Sequence, residues 1–232
     1  MAKLFLLRHF KSQWNLENRF SGWTDVPISE DGKADAVKRA GEIFKNHTRI
    51  DEIFTSSLFR NMDTVVRVLG AGKQKYPIFI SRDGGKTQKW GDCFDGPENF
   101  MPVYVTEKLN ERHYGSLVGL DKKQIMEKYG EEKVHLWRRS YKTKPPGGGE
   151  SLKNVSERLV PFYKKYIESD LKKGKNVLIV TSHNPLRALI KYLEKISDED
   201  VANVEIGYGS LLEYTIDKDG LPKNKFFDRI RE

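Results

Sequence analysis

Cysteine is nearly missing from this 232-residue chain; Cys93 is its only one. That excludes an intramolecular disulfide and any cysteine-based zinc site. Cys93 lies in the Gly/Asp-rich stretch Trp90-Gly91-Asp92-Cys93-Phe94-Asp95-Gly96, where two aspartates disfavour a thiolate. An incidental surface-loop thiol is therefore expected rather than a nucleophile. Long apolar runs are missing too. No stretch approaches the roughly 20 residues that a membrane helix requires. The run Lys3 to Leu7 is too short for a signal-peptide core and meets Arg8 at once. A cytoplasmic protein without membrane contact is the expectation. Zinc-finger, RRM and helix-turn-helix signatures and internal repeats are likewise not found.

With 38% hydrophobic and 32% charged residues, the composition is that of a globular chain. The net charge of +8 raises the question of a nucleic-acid partner. An enzyme acting on multiply anionic metabolites gains equally from positive charge. Much of the excess is scattered lysine, such as Lys164-Lys165 and Lys172-Lys173, which reads as solvated surface. No nucleic-acid partner is expected.

Strand-like and helix-like segments alternate, which points to an α/β fold. The expected architecture is a three-layer sandwich, a mostly parallel sheet with helices on both faces, forming a single domain over 1–232. The first strand is Lys3 to Leu7, and a helix begins near Ser29 with Ala36, Ala40, Ile43 and Phe44 on one face. A second strand is read at Ile50 to Thr55, then a helix capped by Ser57 with Met62, Val65, Val66 and Leu69 inward. Residues 70–105 break the rhythm with glycines and prolines and one strand-like run, Tyr76 to Ile80; an elaborated insertion is expected. Helices follow at Lys122 to Tyr129 and Glu131 to Arg138, and a long helix capped by Ser151 carries Leu152, Val155, Leu159, Phe162 and Tyr166 inward. Strands are read at Asn176 to Thr181 and Ser210 to Ile216, with a possible last edge strand at Lys225 to Ile230.

Two of these strands each deliver a histidine at the carboxyl end, His9 after Leu7-Arg8 and His183 after Thr181-Ser182. Open α/β sheets bind ligands at that edge. Asn184 at N-cap and Pro185 at N1 would place His183 just before a helix N-terminus, where backbone N–H groups favour an anion. Arg8 needs an anionic partner, and none is adjacent in sequence. Arg60, in the first turn of its helix, reaches the same edge or remains a solvated arginine. His47 and His135 sit in strongly polar helical contexts and are assigned to the surface. The combination points to phosphoryl chemistry on histidine.

Leu7-Arg8-His9, then Ser12-Gln13-Trp14-Asn15 and Glu17 to Asp25, resembles the N-terminal signature of the histidine phosphatase superfamily. More narrowly, the chain resembles the cofactor-dependent phosphoglycerate mutases. Thr55 to Arg60, Leu109 to Gly115, Gly119 to Lys122, Trp137-Arg138-Arg139 and Pro146 to Leu152 continue the series in the same order. The resemblance implies a phosphoglycerate mutase-like fold and interconversion of 3-phosphoglycerate and 2-phosphoglycerate in glycolysis and gluconeogenesis. It implies 2,3-bisphosphoglycerate as priming donor, no metal, and a homo-oligomer, a dimer. His9 would be the phosphate carrier, with Arg8, Arg60 and His183 spreading the charge of the transferring group. Glu111 would be the general acid and base; without the family motif, an ion pair with Arg112 or another arginine would be the preferred reading. Asn15, Ser21 and Gly22 would line the phosphate pocket. Tyr114, Lys122, Arg138 and Arg139 would hold the carboxylate and second phosphate, with Asn184 beside them.

Three departures stand out. Phe10 and Lys11 replace a usual glycine and acidic residue, and a side chain at position 10 is expected to crowd the nucleophile's loop. The usual His-Gly-Asn-Ser-Leu-Arg becomes His183-Asn184-Pro185-Leu186-Arg187, so the turn must be rebuilt. Residues 70–105 directly precede the Glu111 motif. A phosphatase working on small phosphorylated metabolites with the same machinery is the first alternative. A catalytically impaired binding protein ranks lower, and a nucleic-acid module lower still.

Overall fold

The computed structural model describes residues 1–43, 49–72, 75–91 and 98–226. Strand β1 (Ala2–Arg8) sets the architecture by strict alternation. Leu4 and Leu6 enter one apolar cluster, while Phe5 and Leu7 enter another on the opposite face. Strand β5 (Val177–Thr181) repeats the pattern, with Val177 and Ile179 on the first face and Leu178 and Val180 on the second. Strands buried on both sides require helices on both sides.

The remaining strands are β2 (Glu52–Ser56), β3 (Tyr76–Ser81), β4 (Phe100–Thr106) and β6 (Leu211–Ile216). They form one six-stranded sheet in the order β3-β4-β2-β5-β1-β6, parallel except for β6, which runs antiparallel to β1 at an edge. The helices are α1 (Gln13–Leu16), α2 (Glu30–Ile43), α3 (Phe59–Ala71), α4 (Gly85–Gly91), α5 (Lys122–Tyr129), α6 (Glu131–Arg139), α7 (Leu152–Phe162), α8 (Ser169–Lys172) and α9 (His183–Glu194). Leucines and valines of α7 and α9 fill the first cluster; Ala36 of α2 with Val65, Val68 and Leu69 of α3 fill the second. The three-layer α/β sandwich is thereby observed. A smaller third cluster, Phe20, Leu117, Ile125, Val134 and Trp137, fastens α5 and α6 to the loops near the sheet's carboxyl edge.

Several local expectations change. Residues 70–105 contain two sheet strands, because β4 pairs with both β2 and β3. Pro102 disguised it, since proline normally demotes a run from strand to loop. Leu58, not Ser57, occupies the N-cap of α3. Ser57 instead gives its N–H and hydroxyl to Asn110 Oδ1, at 3.0 and 2.9 Å. Ser151 caps α7 as expected, accepting from the Asn154 N–H. Beyond Phe162 the helix widens into a π-helical stretch, Tyr163–Glu168, two residues after Pro161. Lys225 and Phe226 are not strand; the rest of that segment, with Phe44, His47, Cys93 and the side chain of Ile43, lies outside the described residues.

Phe10 does not crowd the cleft. It is 2% exposed and packs into the second cluster beside Phe5, Leu7 and Ile28. Space for its ring comes from Gly209, whose φ is +67° and where a Cβ would lie 2.5 Å from Phe10 Cε1. Gly209→Ala therefore combines left-handed strain with overpacking and is expected to cost about 2–4 kcal/mol. Urea unfolding checks this; an unchanged midpoint would show that Phe10 is loosely held.

Candidate active site

The backbone register puts the two histidine-bearing termini side by side. Arg8 on β1 pairs with Thr181 on β5, and the His9 N–H donates to the Thr181 carbonyl at 3.0 Å. His9 Nδ1 lies 2.6 Å from the Phe10 carbonyl. A carbonyl only accepts, so the proton sits on Nδ1 and leaves Nε2 with its lone pair. His9 is 3% exposed. Burial, then Arg60 and Arg8, hold its pKa well below the usual histidine range. A neutral imidazole with a bare Nε2 is a nucleophile at neutral pH.

The cationic groups around it are held by neutral acceptors. Arg60 is 1% exposed and donates to the carbonyls of Thr24 and Gly22, at 3.0 and 2.8 Å. Arg8 Nη1 donates to the Ile206 carbonyl at 2.5 Å, and its guanidinium lies 3.7 Å from the centre of the Tyr208 ring. Dipoles and a π face fix these guanidiniums without cancelling their charge. Arg8 Nε and Ser21 Oγ are buried without a hydrogen-bond partner. Both residues line the same cleft.

Glu111 lies at the same edge and is held from several sides. Its Oε1 accepts from the Arg112 N–H at 2.7 Å, from Asn184 Nδ2 at 2.9 Å and from the Asn184 N–H at 3.2 Å. Its carbonyl accepts from Trp23 Nε1 at 2.5 Å and from Arg158 Nη2 at 3.0 Å. Arg112 turns away to the Arg138 carbonyl and the Tyr114 hydroxyl, so the reading of a side-chain ion pair with Glu111 is not what forms.

The turn after β5 differs from expectation. Ser182 is the N-cap of α9 and His183 its first residue, so Asn184 and Pro185 stand second and third. Asn184 does not cap because its amide is committed to Glu111, while its Oδ1 accepts from Arg187 Nη1 at 3.0 Å. Pro185 costs little there, since N–H groups of the first helical turn have no intrahelical acceptor. His183 Nε2 lies 3.1 Å from Glu205 Oε2. Burial, then Arg8, Arg187 and Arg139, hold its pKa well below the usual range.

These groups surround a cleft of about 90 Å³ lined by Arg8, His9, Asn15, Ser21, Gly22, Arg60, Glu111, Tyr114, Lys122, Arg138, His183 and Asn184, together with Arg19, Phe20 and Tyr208. Arg139 lies apart, in an adjoining cavity shared with Arg8, Tyr114, Arg138, His183, Glu205 and Tyr208. Sequence reading missed Arg19, Phe20 and Tyr208. The first two lie inside the quoted N-terminal motif. Tyr208 was signalled only by its flanking glycines, Gly207 and Gly209. Five cations and one carboxylate line the main cleft. Burial, then Arg138 and Arg8, lower the Lys122 pKa to about 8. Among the described residues, no three His, Cys, Asp or Glu side chains are grouped as metal ligands.

The sequence pattern of the histidine phosphatase superfamily (branch 1) matches residues 4–83 and 93–228. The chain belongs to that superfamily. A 2,3-bisphosphoglycerate-dependent phosphoglycerate mutase of Methanococcus vannielii is 42% identical over 230 residues, covering 99% of this chain and 97% of the relative. The enzyme of the same name from Chlamydia pneumoniae is 43% identical, covering 92% and 93%. Among solved structures, YhfR of Bacillus stearothermophilus superposes with a TM-score of 0.73 at 24% identity, covering 96% and 94%. A mycobacterial glucosyl-3-phosphoglycerate phosphatase gives 0.71 at 22%, covering 94% and 91%. At those identities the structural neighbours show the shared α/β fold.

Two pH effects follow. Both site histidines resist protonation when folded, so below about pH 6.5 the unfolded chain takes up protons that the folded chain refuses. Stability is therefore expected to fall with pH in that window, by up to about 1.4 kcal/mol per pH unit for each histidine. A His9→Asn variant should show a shallower slope in urea melts between about pH 5 and 6.5. At the other end, Lys122 loses its charge above about pH 8, and affinity for inorganic phosphate should weaken there. Lys122→Met should bind more weakly throughout and lack that alkaline limb; a wild-type limb retained in the variant would assign it elsewhere.

Proposed function

We propose that this protein is a 2,3-bisphosphoglycerate-dependent phosphoglycerate mutase, an enzyme interconverting 3-phosphoglycerate and 2-phosphoglycerate. The observation that carries the reading is the juxtaposition of a neutral, bare-Nε2 His9 with Glu111 in one cation-lined cleft. Near-full-length likeness to relatives of that name supports it. The orphaned Arg8 Nε and Ser21 Oγ, with the surplus of cations, fit a multiply phosphorylated ligand without further groups. When bound, the bisphosphate supplies the phosphoryl group that primes the enzyme.

The residues do the rest. His9 Nε2 attacks phosphorus in line as the ester P–O bond breaks, and the departing alkoxide takes a proton from Glu111. In return, the other hydroxyl gives its proton to Glu111 as its oxygen attacks the phosphoryl group on His9. Arg8 and Arg60 stabilise the equatorial oxygens, and because their partners are carbonyls and a ring, their charge is available at that moment. Asn184 fixes the carboxylate that shuttles the proton. Asn15, Ser21 and Gly22 surround the phosphate, while Tyr114, Lys122, Arg138 and, at one remove, Arg139 receive the carboxylate and the second phosphate. A cytoplasmic homodimer belongs to the same reading, and sedimentation would check the assembly.

Purified protein given 3-phosphoglycerate and catalytic bisphosphate is expected to yield 2-phosphoglycerate, with little free phosphate. Free phosphate outpacing isomer would make it a phosphatase. His9→Ala should abolish both products. Glu111→Gln should slow both the phosphorylation of His9 by bisphosphate and isomer formation by about 10²–10⁴-fold, the usual worth of a positioned general acid–base.

A further inference from the structure

The distal end of the cleft already holds an anion belonging to the protein. Val204 and Ile206 are buried, and the alternation turns Glu205 outward between them. Its side chain reaches the cavity that adjoins the main cleft. Glu205 Oε2 accepts from His183 Nε2 at 3.1 Å, and Oε1 pairs with the Arg139 guanidinium. The backbone beneath is pinned. Ile206 takes the Arg8 hydrogen bond, and the Gly209 N–H donates to the Arg8 carbonyl at 3.1 Å. The side chain is not pinned in the same way, being 51% exposed against 22% for Arg139 and 15% for His183. A carboxylate on a two-methylene stem has open water to swing into, while Arg139 and the neutral His183 ring stay in the wall. Arg139 Nη1 is moreover buried without a hydrogen-bond partner, so Glu205 leaves one donor of that guanidinium unanswered.

The position of His183 fits this arrangement. In the pattern His-Gly-Asn-Ser-Leu-Arg the histidine stands five places ahead of the arginine. Counted back from Arg187, that place here is Ser182, and His183 is the next residue. One step along a helix turns a side chain by about 100°. The His183 ring accordingly engages Glu205 and lines the distal cavity as well as the main cleft.

We propose that Glu205 is a resident counter-ion of the distal anion subsite, holding Arg139 and His183 until the substrate's second anionic group displaces it. The proposal rests on the reading above, in which that end of the cleft receives such a group. It makes Glu205 a specificity-determining residue. A ligand with one anionic group binds at His9 without disturbing the Glu205 pairs. A ligand with two must compete with them, and its affinity carries the cost of breaking them. The same competition keeps Arg139 from capturing stray anions while the cleft is empty.

Calorimetric titration of the wild-type protein and Glu205→Gln with 3-phosphoglycerate and with inorganic phosphate tests this. The variant is expected to bind 3-phosphoglycerate about two- to five-fold more tightly, the range a partly exposed ion pair allows. Phosphate affinity should stay within about two-fold. Unchanged or weaker 3-phosphoglycerate binding overturns the proposal, and so does equal tightening for both ligands, which would be a general charge effect. In an Arg139→Gln background, Glu205→Gln should bring no further gain; a full gain there would overturn the pairing with Arg139. Circular dichroism confirms that each variant is folded. A wild-type protein that makes no 2-phosphoglycerate would remove the mutase reading, yet the binding comparison would still score Glu205, because 3-phosphoglycerate serves there only as a two-anion ligand.

Discussion

The parallel pairing of β1 with β5 is the constraint on which the site depends. Only because Arg8 lies opposite Thr181 do the loops leaving these two strands emerge together at the carboxyl edge. The hydrogen bond from His9 to Thr181 extends that pairing one residue past the strand and fixes where the nucleophile begins. Everything else is brought to this point. α3 delivers Arg60, the segment after β4 delivers Glu111, and α9 delivers Asn184 to hold it. A slip of one residue between β1 and β5 would exchange the two apolar faces of β1 and turn the cleft residues into the helical layers.

Charge is concentrated here in an unusual chemical form. Arg60, Arg112 and Arg187 are almost fully buried, and their recorded hydrogen bonds go chiefly to backbone carbonyls rather than carboxylates. Carbonyl dipoles answer part of each guanidinium, with Arg112 Nε and Nη1 and Arg187 Nε left without a hydrogen-bond partner, and they leave the monopole unneutralised. Burial first, then the positive field of the neighbouring arginines, depresses Lys122 and holds both histidines well below their usual range. It is also the field that a phosphorylated ligand enters. Arg158 shows the contrasting use of an arginine, bonded to Glu150 at 2.9 Å and to the carbonyls of Lys108, Asn110 and Glu111, where it braces a loop.

Much of this was legible in the residues. Short apolar runs marked β1 and β5, helical stripes marked α3 and α7, Asn184-Pro185 marked the start of α9, and the two strand-end histidines marked the edge that matters. The ordered motifs located Glu111, which no local rule would have separated from a surface acid. What stayed hidden lay in tertiary contacts. β4 could not be read because Pro102 speaks against a strand, and only pairing on both sides overrides it. The cap of α9 was misplaced because Asn184 is a good cap in isolation, but Glu111 claims its amide. Tyr208 and Glu205 join the site through a loop that returns from the far end of the chain, and nothing in their neighbourhood announces Arg8 or His183 as partners.

The contact between Phe10 and Gly209 has a consequence for how this chain can change. The phenyl ring and the bare α-carbon fill one space between them, so each residue is acceptable only while the other is present. Replacing Phe10 alone by glycine would leave a void in the second cluster, and adding a side chain at position 209 alone would leave two groups contending for one volume. The two positions, one beside the nucleophile and the other at the entrance to the last strand, form a two-site lock.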